Sequence, residues 1–441
     1  MCGVRPRHAY TAIALVCGAA LVTGAGLEMT SGGGPSARPP VLLGIAHDDG
    51  VHRLVRADLM SLRPLRGPTL RLQGPPEAWA RSPDHRLLAA VSDRPSVLEL
   101  IDVERLRTVG RVRTPARGSP AAVIWPRADR LWIVFAASGC CAVGTTTVVT
   151  VDPIAKRVVA RRRLDGGLAR VAASPDGPVL LLAPSAMIGP AWLATVDAGG
   201  AVEQVPLDGV SAGLMPTELA PSVERLRTPA LAVDSEGRRA YVVSSRPYII
   251  EVDLRRRRVS GHRLVARTSL ADRLRDLLEP SAEAYARVGP VRHAAWIGAG
   301  RIALSGYDGD AVWGPAGSIE GERRPAGLHV IDTADWSIRT LDERASTFVA
   351  AAGLLLTSGP EGRGLAAYSP DGAERFQVLD GRHVAIMAVT ASLAYVGTPP
   401  DPALQVVDLA NGRVIGTSAL ERATLLLERV AGWQFSPSTP P

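Results

Sequence analysis

The chain has 441 residues, of which 46% are hydrophobic and only 4% are aromatic, so a large core has to be built mainly from aliphatic side chains. The formal net charge is +7, and Lys156 is the only lysine, so arginine carries almost all of the positive charge. These arginines are spread along the whole chain instead of forming one basic arm, which argues against nucleic-acid binding. No glycine-rich loop ends in Lys-Ser or Lys-Thr, which excludes a Walker-type nucleotide site.

The N-terminus has the pattern of an export signal. Arg5 and Arg7 precede an apolar run of small residues, Thr11–Leu27. A positive segment followed by such a run predicts a signal peptide over residues 1–27 or, if it is not cleaved, a membrane anchor. Residues 28–40 are rich in Gly, Ser and Pro and are expected to form a linker. The remaining residues, 41–441, are then one domain in an extracytoplasmic location.

The segment Ala230–Val265 is the clearest copy of a repeat. It contains four short apolar runs separated by turn residues, at Leu231–Val233, Arg239–Ser244, Tyr248–Asp253 and Val259–Val265. A four-stranded antiparallel meander of this length is typical of one blade of a β-propeller. Related units are found at Val41–Leu72, Ala78–Arg113, Ala121–Leu164, Arg170–Leu207, His293–Leu341, Ser346–Leu379 and His383–Leu420. The predicted fold is therefore an all-β propeller.

The count of units gives eight blades. The first unit lacks its innermost strand, and the apolar segment Ala423–Val430 follows the last unit. This C-terminal segment is expected to supply the missing strand, which would close the ring and leave no open sheet edge. Seven blades are the alternative, if a weak unit such as Ser346–Leu379 is not a separate blade.

An aspartate recurs at the end of the third strand of the units. Asp102, Asp152, Asp253 and Asp408 each follow an apolar residue at this point, and Ser369 takes the place in one unit. A short acceptor side chain there can bind the backbone N–H groups of the following turn. We therefore interpret these carboxylates as turn formers and not as catalytic groups.

Two segments resemble the core of bacterial YVTN-type β-propeller repeats. These are Tyr241–Ser244 and Tyr395–Thr398, and Asp408–Ile415 is similar to the strand-turn-strand signature of that family. The resemblance covers most of residues 41–420 and implies a WD40-like propeller. Related propellers include lactonase-like and quinoprotein-like enzymes as well as non-enzymatic surface proteins, so the resemblance bears on fold more than on activity.

Four long loops interrupt the repeat: 137–145, 209–228, 266–292 and 306–327. Each either joins strands two and three of a unit or connects one unit to the next, and both kinds of connection emerge on the same face of a propeller. We call this the loop face, and we call the opposite face, which carries the turns after strands one and three, the turn face. Long loops on a rigid scaffold are common binding sites. The candidate binding residues are Cys140, Cys141, Tyr307, Asp308, Asp310, Trp313, Arg323 and Arg324.

Two of these loops have distinctive local chemistry. Within 266–292, a capping pattern at Ser269 and leucines at helical spacing predict a short helical insertion near 268–288, either packed on the propeller or open to a partner. Cys140 and Cys141 are the only cysteines that follow the signal segment. In an oxidising compartment they are candidates for a vicinal disulfide, with two free thiols or metal capture as the alternatives.

The sequence favours a non-enzymatic binding or scaffold module. The G-x-S-x-G motif at Gly209–Gly213 lacks the strand-to-helix context of a nucleophile elbow, and the seven histidines after the signal segment show no paired ligand spacing. We predict no catalytic residue, cofactor or metal site, an unknown protein or small-molecule ligand, and membrane association through the N-terminus only. The alternative is a lactonase-like or quinoprotein-like enzyme with a metal or quinone at the central axis.

Overall fold

The computed structural model describes residues 42–426 with internal gaps. The gaps are residues 49–50, 62, 64, 93–95, 117, 138–143, 185–188, 218–219, 245–247, 267–290, 309–310, 314–318, 321–323, 361, 399–400 and 420–424. All regular structure in the described residues is β-strand, so the all-β prediction is confirmed. The predicted helical insertion near 268–288 lies outside the described residues. No helix in the described part of the chain is long and apolar enough to span a bilayer.

The first four blades use the N-terminal half of the domain. Blade one contains β1 (Leu42–Asp48), β2 (Val51–Ala57) and β3 (Leu70–Arg71); blade two contains β4 (Pro76–Arg81), β5 (Leu87–Ser92), β6 (Val97–Asp102) and β7 (Arg107–Arg113). Blade three contains β8 (Ser119–Arg127), β9 (Arg130–Ala136), β10 (Thr145–Asp152) and β11 (Arg157–Asp165); blade four contains β12 (Gly167–Ser174), β13 (Gly177–Ala183), β14 (Gly189–Val196) and β15 (Val202–Thr217), and β16 (Ala220–Arg227) follows it.

The last four blades repeat the pattern with insertions. Blade five contains β17 (Ala230–Val233), β18 (Arg239–Val243), β19 (Tyr248–Asp253) and β20 (Arg258–Arg263), and β21 (Val265–Ala266) follows it; blade six contains β22 (Val291–Gly298), β23 (Arg301–Asp308), β27 (Leu328–Asp332) and β28 (Ser337–Asp342), with β24 (Ala311–Trp313), β25 (Ile319–Glu320) and β26 (Arg324–Pro325) inserted. Blade seven contains β29 (Thr347–Ala351), β30 (Leu354–Ser358), β31 (Leu365–Tyr368) and β32 (Glu374–Val378); blade eight contains β33 (Ala385–Val389), β34 (Leu393–Thr398), β35 (Asp401–Asp408) and β36 (Val414–Ala419).

A C-terminal strand closes the ring, as predicted. β37 (Leu425–Leu426) pairs antiparallel with β1 and becomes the innermost strand of blade one. The chain therefore forms eight four-stranded antiparallel blades, and the seven-blade alternative is wrong because Ser346–Leu379 forms a complete blade seven. Each blade starts at the axis with its first strand and ends at the rim with its fourth.

The hydrophobic core is divided among the interfaces between neighbouring blades. The described residues form eight clusters of buried apolar side chains, one for each pair of adjacent blades. Alternation along a strand explains this arrangement: Leu180 packs with blade three, while its neighbour Leu181 packs with blade five. Because both sides of a blade are covered, β13 is buried along its whole length. This is why its sequence is a continuous apolar run instead of an alternating one.

The turns between strands three and four fasten each blade to the one before it. Arg162 Nε of blade three donates to Gly200 O in the turn of blade four, at 2.6 Å. Arg339 Nη1 of blade six donates to Asp371 O of blade seven, at 2.8 Å. At the closing junction, the hydroxyl of Tyr395 in blade eight donates to Leu59 O of blade one, at 3.0 Å. Part of the arginine content thus holds neighbouring blades together on the turn face.

Candidate functional site

Two of the four long loops pair with each other. The predicted loop 209–228 forms a β-hairpin, in which the end of β15 pairs with β16. β16 then pairs with β24 of the blade-six insertion, with Val223 opposite Val312 and Glu224 opposite Ala311. β24 continues into β25, so the sheet of blade four extends to seven strands. The backbone therefore brings together two insertions that are about 90 residues apart in the chain. We call this extension, which consists of β15 from Gly213 onward, β16, β24 and β25, the paired insertions.

Three of the candidate binding residues lie at the base of the blade-six insertion. Tyr307 and Asp308 end β23, and Arg324 in β26 pairs with Asp308 across the strands. Trp313 belongs to β24. Cys140, Cys141, Asp310 and Arg323 lie outside the described residues, so the proposed disulfide also stays a prediction. Gly306 allows β22 and β23 to approach each other closely here, because a Cβ at this position would lie 2.0 Å from Val291 O.

Asp308 forms an ion pair that the sequence analysis missed. Its Oδ1 lies 2.6 Å from Nη2 of Arg292, and Arg292 Nη1 donates to Tyr307 O at 2.9 Å. The Arg292 side chain is only 9% exposed. Because Arg292 is the second residue of the inner strand β22, this pair joins the start of strand one to the end of strand two on the loop face. Asp308 thus helps to fix the base of the insertion.

A second buried arginine extends this network across the inner strands. Arg170 in β12 donates from Nη2 and Nε to Arg292 O, at 2.8 and 3.3 Å. Arg292 N in turn donates to Thr228 O, at 2.9 Å, immediately before blade five begins. Blades four, five and six are therefore tied together near the axis. The paired insertions grow out of this same sector of the ring.

His293 lies next to these arginines. Burial, with the positive charges of Arg170 and Arg292, holds the pKa of His293 well below its usual value. The residue as a whole is only half-buried, so the neighbouring charges matter as well as desolvation. A neutral imidazole is therefore expected at physiological pH. The guanidinium groups of Arg170 and Arg292 already donate hydrogen bonds to backbone carbonyls and to Asp308. The cluster therefore serves to connect the blades and is not arranged as an open anion-binding site.

The turn aspartates have the role that the sequence predicts. Oδ1 of Asp253 accepts hydrogen bonds from Arg255 N and Arg256 N, and Oδ1 of Asp152 accepts from Ile154 N and Ala155 N. Comparable bonds form at Asp58, Asp102, Asp197, Asp332 and Asp408, and Ser369 Oγ accepts from Ala373 N. These backbone bonds lower the pKa of Asp58, Asp102, Asp152 and Asp253. Carboxylates held in this way are structural groups.

The solved structures similar to this chain are β-propeller proteins. A dihydro-heme d1 dehydrogenase, NirN in complex with DHE, is 13% identical over 92% of this chain and 76% of its own, with a TM-score of 0.52. Apo AztD from Citrobacter koseri is 13% identical over 88% of this chain and 99% of its own, with a TM-score of 0.46. At this identity the likeness shows the fold alone. No protein-family model matches the chain, and no curated protein matches it.

A histidine and two tryptophans join blades five and six. His262 Nε2 lies 2.9 Å from Glu251 Oε2, and its ring stacks on Trp336 with centroids 3.7 Å apart. Tyr241 stacks on Trp296 in the same interface. Within the described residues, no group of three or more His, Cys, Asp or Glu side chains is arranged to hold a metal ion. His262 therefore belongs to an interface between blades.

The serine of the G-x-S-x-G motif lies within a strand. Ser211 is part of β15, where it pairs with Pro190 of β14. A nucleophile elbow requires a sharp turn from a strand into a helix, whereas Gly209–Gly213 lies inside β15 and the next element is the strand β16. The motif therefore lacks the strand-to-helix context of a nucleophile elbow, as the sequence indicates.

A small cleft lies between blades six and seven on the turn face. Its volume is about 110 Å³, and Arg301, Asp332, Arg339 and Asp371 contribute to its lining. Arg301 and Arg339 both donate to carbonyl groups of the blade-seven turn. The cleft is therefore part of a junction between blades, on the face opposite the paired insertions.

Proposed function

We propose that this protein is an exported, membrane-tethered β-propeller that binds a protein or small-molecule ligand on its loop face without transforming it. The observation that carries the proposal is the pairing of β16 with β24, which joins the insertions of blades four and six. The ligand surface would comprise the paired insertions and the base residues Tyr307, Asp308 and Arg324.

A paired extension is better suited to binding than two separate loops. Hydrogen bonds between strands restrict the backbone before a ligand arrives, so less conformational entropy is lost on binding. The partly buried Arg292–Asp308 pair and the Arg170 bonds stiffen the base of this extension. A rigid scaffold that carries protruding segments is a common arrangement in binding proteins.

The proposed location rests on the N-terminal sequence. Arg5, Arg7 and the apolar run Thr11–Leu27 support export, with the linker 28–40 leading to blade one. Protease treatment of intact cells tests this part separately. We expect the propeller to be digested from outside the cell, and protection until the cells are lysed would contradict the proposed location.

The binding proposal is tested by screening ligands against matched variants. Peptides and small molecules are screened by thermal shift against the full chain and against a variant in which residues 214–226 are replaced by two glycines. R256Q, an exposed substitution on the turn face, is the control. We expect at least one ligand whose affinity falls about tenfold or more in the insertion variant, while the control binds normally and both variants keep their unfolding temperature.

Two results would contradict the proposal. One is that every ligand binds equally well to the variant without the insertion. The other is a stoichiometric metal or quinone in the purified protein that converts the ligand to a product, which would favour the enzyme alternative. Metal analysis and mass spectrometry of the reaction mixture detect this second result.

A further inference from the structure

An exposed apolar patch lies where blade eight meets blade one. Four of the nine large apolar side chains that are exposed in the described chain belong to this junction: Met60, Leu65, Val414 and Ile415, each between 39% and 42% exposed. Three exposed arginines lie in the same two segments: Arg63, Arg66 and Arg413. We call these seven residues the seam patch.

The apolar part of the seam patch is held in a defined position. Asp58 Oδ1 accepts hydrogen bonds from Met60 N and Ser61 N, at 3.0 and 2.7 Å, and Asp58 N donates to Arg63 O. This hairpin presses Met60 against blade eight, because a Cβ on Gly416 would lie 3.6 Å from the Met60 methyl group. Val414 and Ile415 directly precede Gly416. The Met60 side chain is therefore held against the outer strand of blade eight, beside the segment that carries Val414 and Ile415.

The arginines of the seam patch have no ion-pair partner among the described residues. Two carboxylates are close in sequence, Asp58 and Asp408, but both accept backbone hydrogen bonds in their own turns. Asp408 also accepts from the side chain of Asn411, at 2.8 Å. The guanidinium groups are therefore available to an external anion, in contrast to Arg105, Arg111 or Arg256, which pair with carboxylates.

The seam patch faces away from the paired insertions. Met60 lies in the connection between strands three and four of blade one, and Arg413 in the corresponding turn of blade eight, so both belong to the turn face. Blade one is also the blade that the N-terminal linker enters, at Leu42. A membrane anchored through the linker would be close to this junction.

We propose that the seam patch docks the propeller onto an anionic lipid surface, so that the loop face points away from the membrane. Apolar side chains that enter the headgroup region, surrounded by arginines that attract acidic lipids, are the features that interfacial binding requires. Four partly exposed side chains offer far less than the about 800 Å² per partner that a stable protein interface buries. The inference rests on the proposed membrane tether and adds a second contact to it, whereas the sequence alone predicts association through the N-terminus only.

The test separates this contact from the N-terminal anchor. The full chain carries L15R and V16R, which disrupt the apolar run, and its binding to vesicles of phosphatidylglycerol and of phosphatidylcholine is measured by flotation. We expect binding to phosphatidylglycerol vesicles alone. Adding R63Q and R413Q should lower the affinity about 25-fold, at about fivefold for each arginine, and adding M60S and I415S should lower it about tenfold or more. The control, R161Q with R163Q on blade three, should bind as well as the reference.

Several outcomes would overturn the inference. One is that the protein binds neither kind of vesicle. Another is that R161Q/R163Q lowers vesicle affinity as much as R63Q/R413Q does. A third is that R63Q/R413Q and M60S/I415S both bind as tightly as the reference protein. Polyphosphate, a polyanion without lipid, is measured as well. If it binds M60S/I415S as tightly as it binds the reference protein, and the vesicles do so too, the contact is one of charge alone and not a lipid site. None of these results bears on the ligand screen, which depends on the loop face, and flotation of the chain with its apolar run intact reports on the tether itself.

Discussion

At the scale of single residues, the ion pair between Arg363 and Asp342 shows how charge is used inside this propeller. Both side chains are 4% exposed, and Arg363 also donates to the hydroxyl of Tyr368, at 3.0 Å. The pair links the last strand of blade six to blade seven. Removing one partner of a buried pair leaves the other charge without compensation in a poorly solvated site.

We therefore expect R363A to lower the free energy of unfolding by about 3–5 kcal/mol. The control is R238A, which breaks an ion pair to Glu236 in which both side chains are about 60% exposed; it should cost less than about 1 kcal/mol. Urea unfolding followed by circular dichroism measures both. Equal effects in the two variants would contradict the assignment of a structural role to the buried pair.

The turn aspartates predict how stability depends on pH. Backbone hydrogen bonds lower the pKa of Asp58, Asp102 and Asp253 below the ordinary value of 3.8 in the folded protein. A lowered folded pKa means that the stabilisation is present above the unfolded value and is lost as pH falls through the folded value. The urea midpoint should therefore drop below about pH 4, and this drop should be smaller in D58N/D102N/D253N. An identical acid dependence in that variant would show that these turns contribute nothing to it.

At the scale of elements, the repeat was predictable because each blade obeys local rules. β19 has the predicted bounds Tyr248–Asp253, and β17 and β18 differ from their predicted bounds by one residue at one end. The apolar runs, the turn residues and the capping aspartates of a blade all lie within one repeat unit of the sequence. The local pattern therefore predicts the strands, and the number of repeats predicts the number of blades in the ring.

The paired insertions were not predictable in this way. The segment 209–228 was expected to be a long loop, since it connects the fourth repeat unit to the fifth. Its hairpin is stabilised by β24, which is far away in the chain, and no local pattern encodes that partner. Arg292 was missed as the partner of Asp308 for the same reason, because only the fold brings the two strand ends together. The sequence therefore predicts which segments of the chain form the candidate site, but it does not predict which residues contact each other there.

The turns that fasten one blade to the next require glycine at close approaches. Gly412 has φ of +73°, and a Cβ there would lie 2.5 Å from the ring of Phe376 in blade seven. Gly353 has φ of +71° in a comparable turn, with nothing within 4 Å. G353A should therefore cost only the backbone strain of about 1–2 kcal/mol, and G412A should cost more because it also opens the interface. Thermal unfolding of the two variants checks the order, and a smaller cost for G412A would contradict the packing of this turn.

At the scale of the whole molecule, the ring depends on its closing strand. β37 contributes only two paired residues, yet it is the inner strand of blade one and covers the sheet edge of β1. A chain that ends at residue 419 loses this strand, so we expect a large fall in unfolding temperature and aggregation through the open edge. A chain that ends at residue 426 keeps the pairing and serves as the control. Equal stability of the two truncated chains, measured by calorimetry, would show that the ring does not need this closure.

The two faces of the ring carry different features. The turn face carries the bonds between blades and the seam patch, and the loop face carries the paired insertions above the braced sector of blades four to six. Because the binding proposal depends on these insertions forming one surface, their pairing is the central claim about this protein.

A designed cross-link tests that claim most directly. Val223 and Val312 are opposite each other in the antiparallel pair, where Cα atoms are about 4.5–5.5 Å apart and within reach of a disulfide. V223C/V312C is prepared with Cys2, Cys17, Cys140 and Cys141 replaced by serine, and V223C/V414C in the same background, which joins opposite faces, is the control. Mass spectrometry after mild oxidation should show an intramolecular disulfide in the first protein and none in the second. Free thiols in V223C/V312C under these conditions would contradict the paired surface and the binding site built on it.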